Sequence, residues 1–177
     1  MRKRNMATSL SALGIVHTTL SLLPVIAGAY AFHRHGRIDP DRASGRCYQY
    51  GLLASVITAF GLIGSGDFST GHVLGLIALA AVAVGRSALR LQRLGNAREY
   101  LQVSAMSFSY LVLMVPGINE TLSRLPVGNP IGNGPESPQV KVALLIAVLI
   151  FLAGLAYQLL HLRRQRTHLY PAAPMRG

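Results

Sequence analysis

Long apolar runs separated by short polar segments dominate the chain of 177 residues. A helix crosses the hydrocarbon layer of a membrane with about 20 apolar residues, because each residue adds about 1.5 Å. None of the runs alternates between apolar and polar positions as a barrel strand does. The pattern therefore predicts an all-α integral membrane bundle of about five transmembrane helices, over residues 8–32, 47–65, 71–91, 100–121 and 140–161.

The segments between the runs are short, so we predict a single transmembrane domain over residues 1–177. The longest connection, residues 125–138, is rich in Pro, Gly and Asn and is predicted to be irregular. Pro116 predicts a kink near the end of the fourth helix. The first run lacks a small-residue cleavage pattern, so we expect it to be a retained helix and not a signal peptide.

Composition supports a chain that faces lipid. Hydrophobic residues make up 51% of the sequence and charged residues only 13%, whereas soluble domains carry about 25% charged residues. The formal net charge is +11, but the basic residues form short clusters between apolar runs with little aromatic interleaving. Membrane topology explains these clusters, and we predict no nucleic-acid partner. Cys47 is the only cysteine, so no internal disulfide can form.

The basic clusters predict an orientation. They follow the first helix, follow the third helix and occupy the C-terminal tail, which are three regions on one side of a five-helix bundle. Basic loops favour the cytoplasmic side, so we predict an outer N-terminus and a cytoplasmic C-terminus, against the opposing charge of Arg2, Lys3 and Arg4. A belt of bases is predicted to bind anionic lipid headgroups at about 1 kcal/mol per base: His33, Arg34, His35, Arg37, Arg90, Arg93, Arg163 and Arg164.

Polar residues within the apolar runs are the candidates for chemistry. His17 lies about nine residues into its helix, or about 13 Å below the outer surface, where an unpaired imidazole costs several kcal/mol. His72 opens the third helix on the same side, and Asn119 and Glu120 close the fourth there. These four side chains are candidates to converge in the outer half of the bundle.

Three uses of these residues stay open. The histidines can serve packing, bonded to a neighbouring hydroxyl or carbonyl. His17 and His72, if they face each other, can instead ligate haem iron or copper. Asn119 and Glu120 are candidates for a polar or proton-handling site. No cofactor is required by the sequence, and no nucleophile elbow, phosphate loop or zinc-protease motif occurs in it.

Three parts of the sequence follow the pattern of a known family: His17 in the first helix, the region of Gly28, and the segment from His33 to Arg37. In these parts the chain resembles a bacterial family of small multispanning proteins, the domain of unknown function 2306. The segment is similar to a His-x-x-Gly-Arg element of that family. The resemblance extends over most of the first four helices and includes Gly71-His72, Arg98 to Ser107, and Asn119-Glu120 with Arg124. Asp39 departs from the family pattern, which has an aromatic residue there. The resemblance implies a bacterial inner-membrane setting and supplies no reaction.

We therefore predict a small inner-membrane protein that is not an enzyme and acts as an accessory or assembly component of a larger membrane complex. Its short loops leave no room for a soluble catalytic domain. A haem- or copper-binding redox protein is one alternative. A small transporter or proton-coupled channel using His17 and Glu120 is another, although no inverted repeat is visible.

Overall fold

The structure is a computed structural model that describes residues 12–62 and 69–169. All regular secondary structure in these two ranges is helical, which confirms the all-α prediction for this part of the chain. Five α-helices follow one another: α1 Ala12–His35, α2 Ala43–Gly61, α3 Thr70–Ala88, α4 Ala97–Arg124 and α5 Pro138–Leu169. A short 3₁₀ turn, Gln92–Leu94, connects α3 to α4.

Four helices, α1, α2, α4 and α5, extend by two or more residues beyond one or both ends of the apolar runs that predicted them. The first prediction ended at residue 32 and the last covered 140–161, whereas α1 continues to His35 and α5 runs from Pro138 to Leu169. Hydropathy marks only the apolar part of a helix, while backbone hydrogen bonding continues into its charged end turns. The opposite error occurs in α3, which ends at Ala88 and not at residue 91. Residues 8–11 and 63–65 of the predicted helices lie outside the described residues.

Four of the described helices, α1, α3, α4 and α5, are long and apolar enough to cross a membrane. The second predicted span is different, because α2 is not among them. Its first two turns carry Arg46 and Gln49 between apolar residues, which lowers their hydropathy. Although α2 is less apolar, it supplies much of the buried core, including Tyr48, Leu52 and Val56.

Helices α1 and α2 form an antiparallel hairpin. His17 of α1 lies beside Thr58 of α2 at one end, and Gly28 lies against Tyr48 towards the other. Between them Gly51 allows the backbone of Pro24 to approach closely, because a Cβ there would stand 3.1 Å from the proline nitrogen. The two helices therefore lie side by side from His17 to Gly28 of α1.

Helix α4 joins the other elements. Its Met106 fills the space beside Gly85 of α3, its Tyr110 hydroxyl donates to the Val25 carbonyl of α1 at 3.2 Å, and its Ser109 meets Tyr48 of α2. On its remaining side α4 packs against α5. Helix α5 keeps most of its side chains exposed because α4 is its main neighbour in the described part of the chain.

The connection between α4 and α5 is irregular, as predicted, but it is fastened at both ends. The Gly132 amide donates to the Leu122 carbonyl at 2.9 Å, and the Gly134 amide donates to Ser123 Oγ at 3.1 Å. Lys141 Nζ donates to Glu136 at 2.7 Å, and this hydrogen bond lowers the pKa of the Glu136 carboxyl.

Candidate functional site

The antiparallel succession of the helices brings the positive charge to one end of the bundle. We call this the basic end: α1, α3 and α5 end there, and α2 and α4 begin there. All eight residues of the predicted belt lie at or near it, and all except the half-buried Arg37 are exposed: His33, Arg34, His35, Arg37, Arg90, Arg93, Arg163 and Arg164.

The turn between α1 and α2 is held rigidly at the basic end by two buried glutamines. Gln49 Nε2 of α2 donates to the Pro40 carbonyl at 2.9 Å, and Gln102 Nε2 of α4 donates to the Ile38 carbonyl at 2.8 Å. The side chain of Ile38 is itself fully buried. Because a buried carbonyl without a partner is costly, each amide stabilises the turn in one position.

Arg86 adds a third helix to this arrangement. Its guanidinium donates to Gln49 Oε1 at 3.1 Å, so the amide of Gln49 is bonded at both its nitrogen and its oxygen. This hydrogen bond connects α3 to α2 at the basic end.

Replacing Gln102 by leucine is expected to lower the free energy of unfolding by about 2 kcal/mol, because the buried Ile38 carbonyl loses its donor while the side-chain volume is kept. Unfolding in mixed detergent micelles, followed by circular dichroism, measures the change. The exposed Gln165→Leu variant at the end of α5 is the control, with an expected change below about 0.5 kcal/mol. Equal stability of the two variants would contradict the anchoring role of Gln102.

A cleft of about 530 Å³ opens at the basic end between the α1–α2 turn and the last turns of α5. Its lining contains five basic side chains and no carboxylate: His33, His35, Arg37, Arg42 and His161. Arg42 Nε also lies 3.4 Å from Asp39 Oδ2, which is not part of the lining. The ring of His161 stacks on Tyr157 and its Nε2 lies 3.0 Å from Gln165 Nε2. We call this opening the cleft.

A second opening, of about 490 Å³, continues from the cleft along α4 and α5. Phe32, Gly36, Tyr157 and Gln158 line both openings, so the two are contiguous. Beyond this junction the lining is almost wholly apolar: Leu111, Met114, Ile118, Ala147, Ile150, Phe151 and Leu155. We call this second opening the groove.

One polar contact and one glycine shape the groove where it meets the cleft. Ser107 Oγ of α4 donates to Gln158 Oε1 of α5 at 2.8 Å and fixes the distance between these two helices. Gly154 lies one turn further along α5, and a Cβ built on it would meet no atom within 4 Å. Gly154 lines the groove, so the open space beside it is part of the groove.

The two candidate histidines bind α2 separately. His17 Nδ1 lies 3.0 Å from Thr58 Oγ1, while His72 Nε2 lies 3.0 Å from the Ala59 carbonyl oxygen. The Ser69 amide donates to His72 Nδ1 at 3.0 Å. An amide only donates and a carbonyl only accepts, so the His72 ring carries its proton on Nε2 and both of its nitrogens are engaged.

The other two candidates belong to the far end of α4. Glu120 forms an exposed ion pair with Arg124 one turn along the same helix. Asn119 Oδ1 is buried and lacks a hydrogen-bond partner in the described residues. The contacts of these two side chains do not join those of His17 and His72. In the described ranges no group of three or more His, Cys, Asp or Glu side chains has the arrangement of a metal site.

Several residues of the cleft and its supports were not among the predicted candidates: Gln49, Gln102, Arg42 and Gln158. A signal existed for the glutamines, since an amide inside an otherwise apolar helix must find a partner. The membership of Arg42 in the cleft depends on how the turn folds back, which has no local signature. No family model, curated protein or solved structure matches the chain.

Proposed function

We propose that the chain is a multi-pass protein of the bacterial inner membrane that works as a non-enzymatic accessory or assembly component of a larger complex. The basic end faces the cytoplasm and the N-terminus lies outside, in line with the positive-inside tendency. The motifs around His17, His33 and His72 are the grounds for relating it to the domain of unknown function 2306.

In this proposal α2 crosses the membrane with the other four helices, although it is less apolar. Support comes from the way α2 lies alongside α1. Contacts between the two helices run from Leu13 and Gly61 at one end to Gly28 and Tyr48 further along. A helix paired with α1 over this length occupies the same layer. Gln49, a polar residue of its first two turns, contacts Pro40 and Arg86 at the basic end and does not face lipid.

A non-enzymatic role is supported by what the interior polar groups do. Tyr48 Oη and Ser109 Oγ are 2.7 Å apart, and Tyr110, Gln102 and His72 each bond a carbonyl of another helix or turn. Such bonds hold helices together in a membrane, where apolar surface gives little preference for protein over lipid. They leave these groups committed to structure.

The observation that carries the accessory role is the position of α5. It is the longest described helix, 32 residues, yet it packs mainly on α4. Its outer side presents a continuous row of large apolar side chains, among them Leu145, Leu149 and Leu152. A partner helix in the same membrane can pack on this row without displacing any contact within the bundle.

Site-specific photo-cross-linking in intact membranes tests this role. A photoreactive residue at Leu149 of α5 is expected to give one discrete adduct with another membrane protein, identified by mass spectrometry. Ile77 of α3, which is also exposed, is the matched control and is expected to give lipid adducts only. Lipid adducts alone at both positions, or the same mixed protein adducts at both, would contradict the accessory role.

The haem or copper alternative stays a prediction that an optical spectrum decides. Because both nitrogens of His72 are bonded within the protein, we expect the detergent-purified chain to be colourless and free of stoichiometric metal. His72→Ala is expected to lower the free energy of unfolding by about 1 kcal/mol through the lost interhelical bonds. A Soret band or bound copper that disappears in both His17→Ala and His72→Ala would instead establish the redox alternative.

A further inference from the structure

We propose that the cleft and the groove form one binding site for a single anionic phospholipid, with its phosphate headgroup in the cleft and one acyl chain in the groove. This site holds one lipid molecule in a defined position, whereas the basic belt attracts headgroups without fixing any one of them in place. The inference rests on the proposed membrane setting and is independent of the accessory role.

The cleft has the chemistry of a phosphate site. Two guanidiniums, of Arg37 and Arg42, and three imidazoles line it, and no carboxylate lines it. Asp39, which lies outside the lining, approaches Arg42 at its Nε, at 3.4 Å. Guanidinium donors match the oxygens of a phosphate in pairs. Basic pockets between transmembrane helices at the cytoplasmic side are typical positions for lipid headgroups.

The cleft does not depend on mobile side chains alone. Arg37 and Arg42 flank the turn segment whose carbonyls at Ile38 and Pro40 are held by the buried amides of Gln102 and Gln49. The donors are thus presented by a fixed backbone, which reduces the entropy lost on binding. Gly36 ends α1 with a φ of +71°, a conformation that favours glycine, and turns the chain into this segment.

The groove has the length and polarity of a lipid chain in one leaflet. Its lining on α4 extends from Ser107 to Ile118 and on α5 from Ala147 to Gln158. Eleven residues of helix rise about 16 Å, which is about half of the 30 Å hydrocarbon core. The headgroup cleft lies at the end of the groove that reaches the membrane surface. An amphipathic ligand with a phosphate at one end fits both parts.

Binding of defined lipids to the full-length protein in detergent, followed by native mass spectrometry, tests the site. Phosphatidylglycerol is expected to bind as one molecule per chain, at least tenfold more tightly than zwitterionic phosphatidylcholine. The Arg37→Gln/Arg42→Gln variant is expected to weaken phosphatidylglycerol binding about 25-fold, since each base contributes about fivefold. The control Arg98→Gln/Arg124→Gln removes the same charge at positions outside both the cleft and the basic belt, and should change binding less than twofold.

A second pair of variants tests the groove. Gly154→Leu fills the open space without meeting another atom of the protein at its Cβ, so the fold should persist while phosphatidylglycerol binding falls at least tenfold. Gly117→Leu on α4 adds the same side chain into open space outside the groove and should leave lipid binding unchanged. Thermal unfolding of both variants confirms that they remain folded.

Soluble glycerol phosphate distinguishes a lipid site from a site for free phosphate. We expect it to bind at least 100-fold more weakly than the lipid. The proposal is overturned if glycerol phosphate binds as well as phosphatidylglycerol, or if Gly154→Leu binds lipid normally. It is equally overturned if the two arginine double variants behave alike, or if phosphatidylcholine binds as tightly. Cross-linking at Leu149 tests the accessory role separately, so either proposal can fail alone.

Discussion

Replacing Gly45 by alanine is expected to lower the free energy of unfolding by about 3 kcal/mol, which is a large effect for one added methyl group. A Cβ at this position would overlap the backbone carbonyl of Asp39, and the next nearest atoms are also backbone. The turn cannot move aside at low cost, because Gln49 and Gln102 hold it on both sides of Asp39. The cleft is formed by the same turn, so lipid binding should be lost as well.

Gly61→Ala is the matched control for this prediction. Gly61 lies on the same helix, and a Cβ there would stand 3.4 Å from a Leu13 methyl carbon, an ordinary contact. Alanine in a helix is more favourable than glycine by about 0.5–1 kcal/mol, so this variant should be as stable as the wild type or slightly more so. Unfolding in mixed micelles measures both. A Gly45→Ala protein as stable as Gly61→Ala would contradict the packing of the turn against α2.

The second large effect is expected for Tyr48→Ala, with a loss of about 3–5 kcal/mol. Tyr48 has no exposed surface and is the largest fully buried side chain of the described residues. Its ring fills the space between Gly28 of α1 and Tyr110 of α4, with 6.1 Å between the two ring centroids, and its hydroxyl lies 2.7 Å from Ser109 Oγ. Truncation leaves a cavity where three helices meet.

One further variant separates the contribution of the Tyr48 ring from that of its hydroxyl, and a second is a control on the exposed surface of the same helix. Tyr48→Phe keeps the ring and should lose about 1 kcal/mol, because Ser109 Oγ still donates to the Met106 carbonyl. Tyr50→Ala, two residues along α2, removes a ring that is 66% exposed and should change stability by less than about 0.5 kcal/mol. If Tyr48→Ala and Tyr50→Ala were equally stable, Tyr48 would not hold the three helices together.

The number and type of helices could be predicted because lipid-compatible helices require long apolar runs, and these stand out in one dimension. The prediction of helix bounds and hydropathy was least accurate for α2. Its first turns are polar because Gln49 is buried against Pro40 and Arg86 while Arg46 is exposed at the basic end. Hydropathy therefore placed the start of α2 at residue 47 instead of Ala43. Helix ends were underestimated for a related reason, since the basic turns after Phe32 and His161 remain helical.

The site could be predicted only in part. The clustering of bases at one end follows from the number of helices and their alternating direction. The cleft does not, because it depends on Gln102 contacting a turn 64 positions earlier in the chain. A local signal was overlooked at His72, where Ser69 three residues earlier forms a capping pair with it. That signal favours a structural use of His72 over a metal ligand.

The central claim, a multi-pass bundle with its basic end in the cytoplasm, is tested most directly by cysteine accessibility in intact cells. Cys47, the only cysteine, is exposed near the start of α2. We predict that a membrane-impermeant maleimide labels it only after the inner membrane is permeabilised. In a Cys47→Ser background, Asn129→Cys in the exposed α4–α5 connection should be labelled without permeabilisation. Labelling of both positions, or of Cys47 alone, in intact cells would contradict this topology.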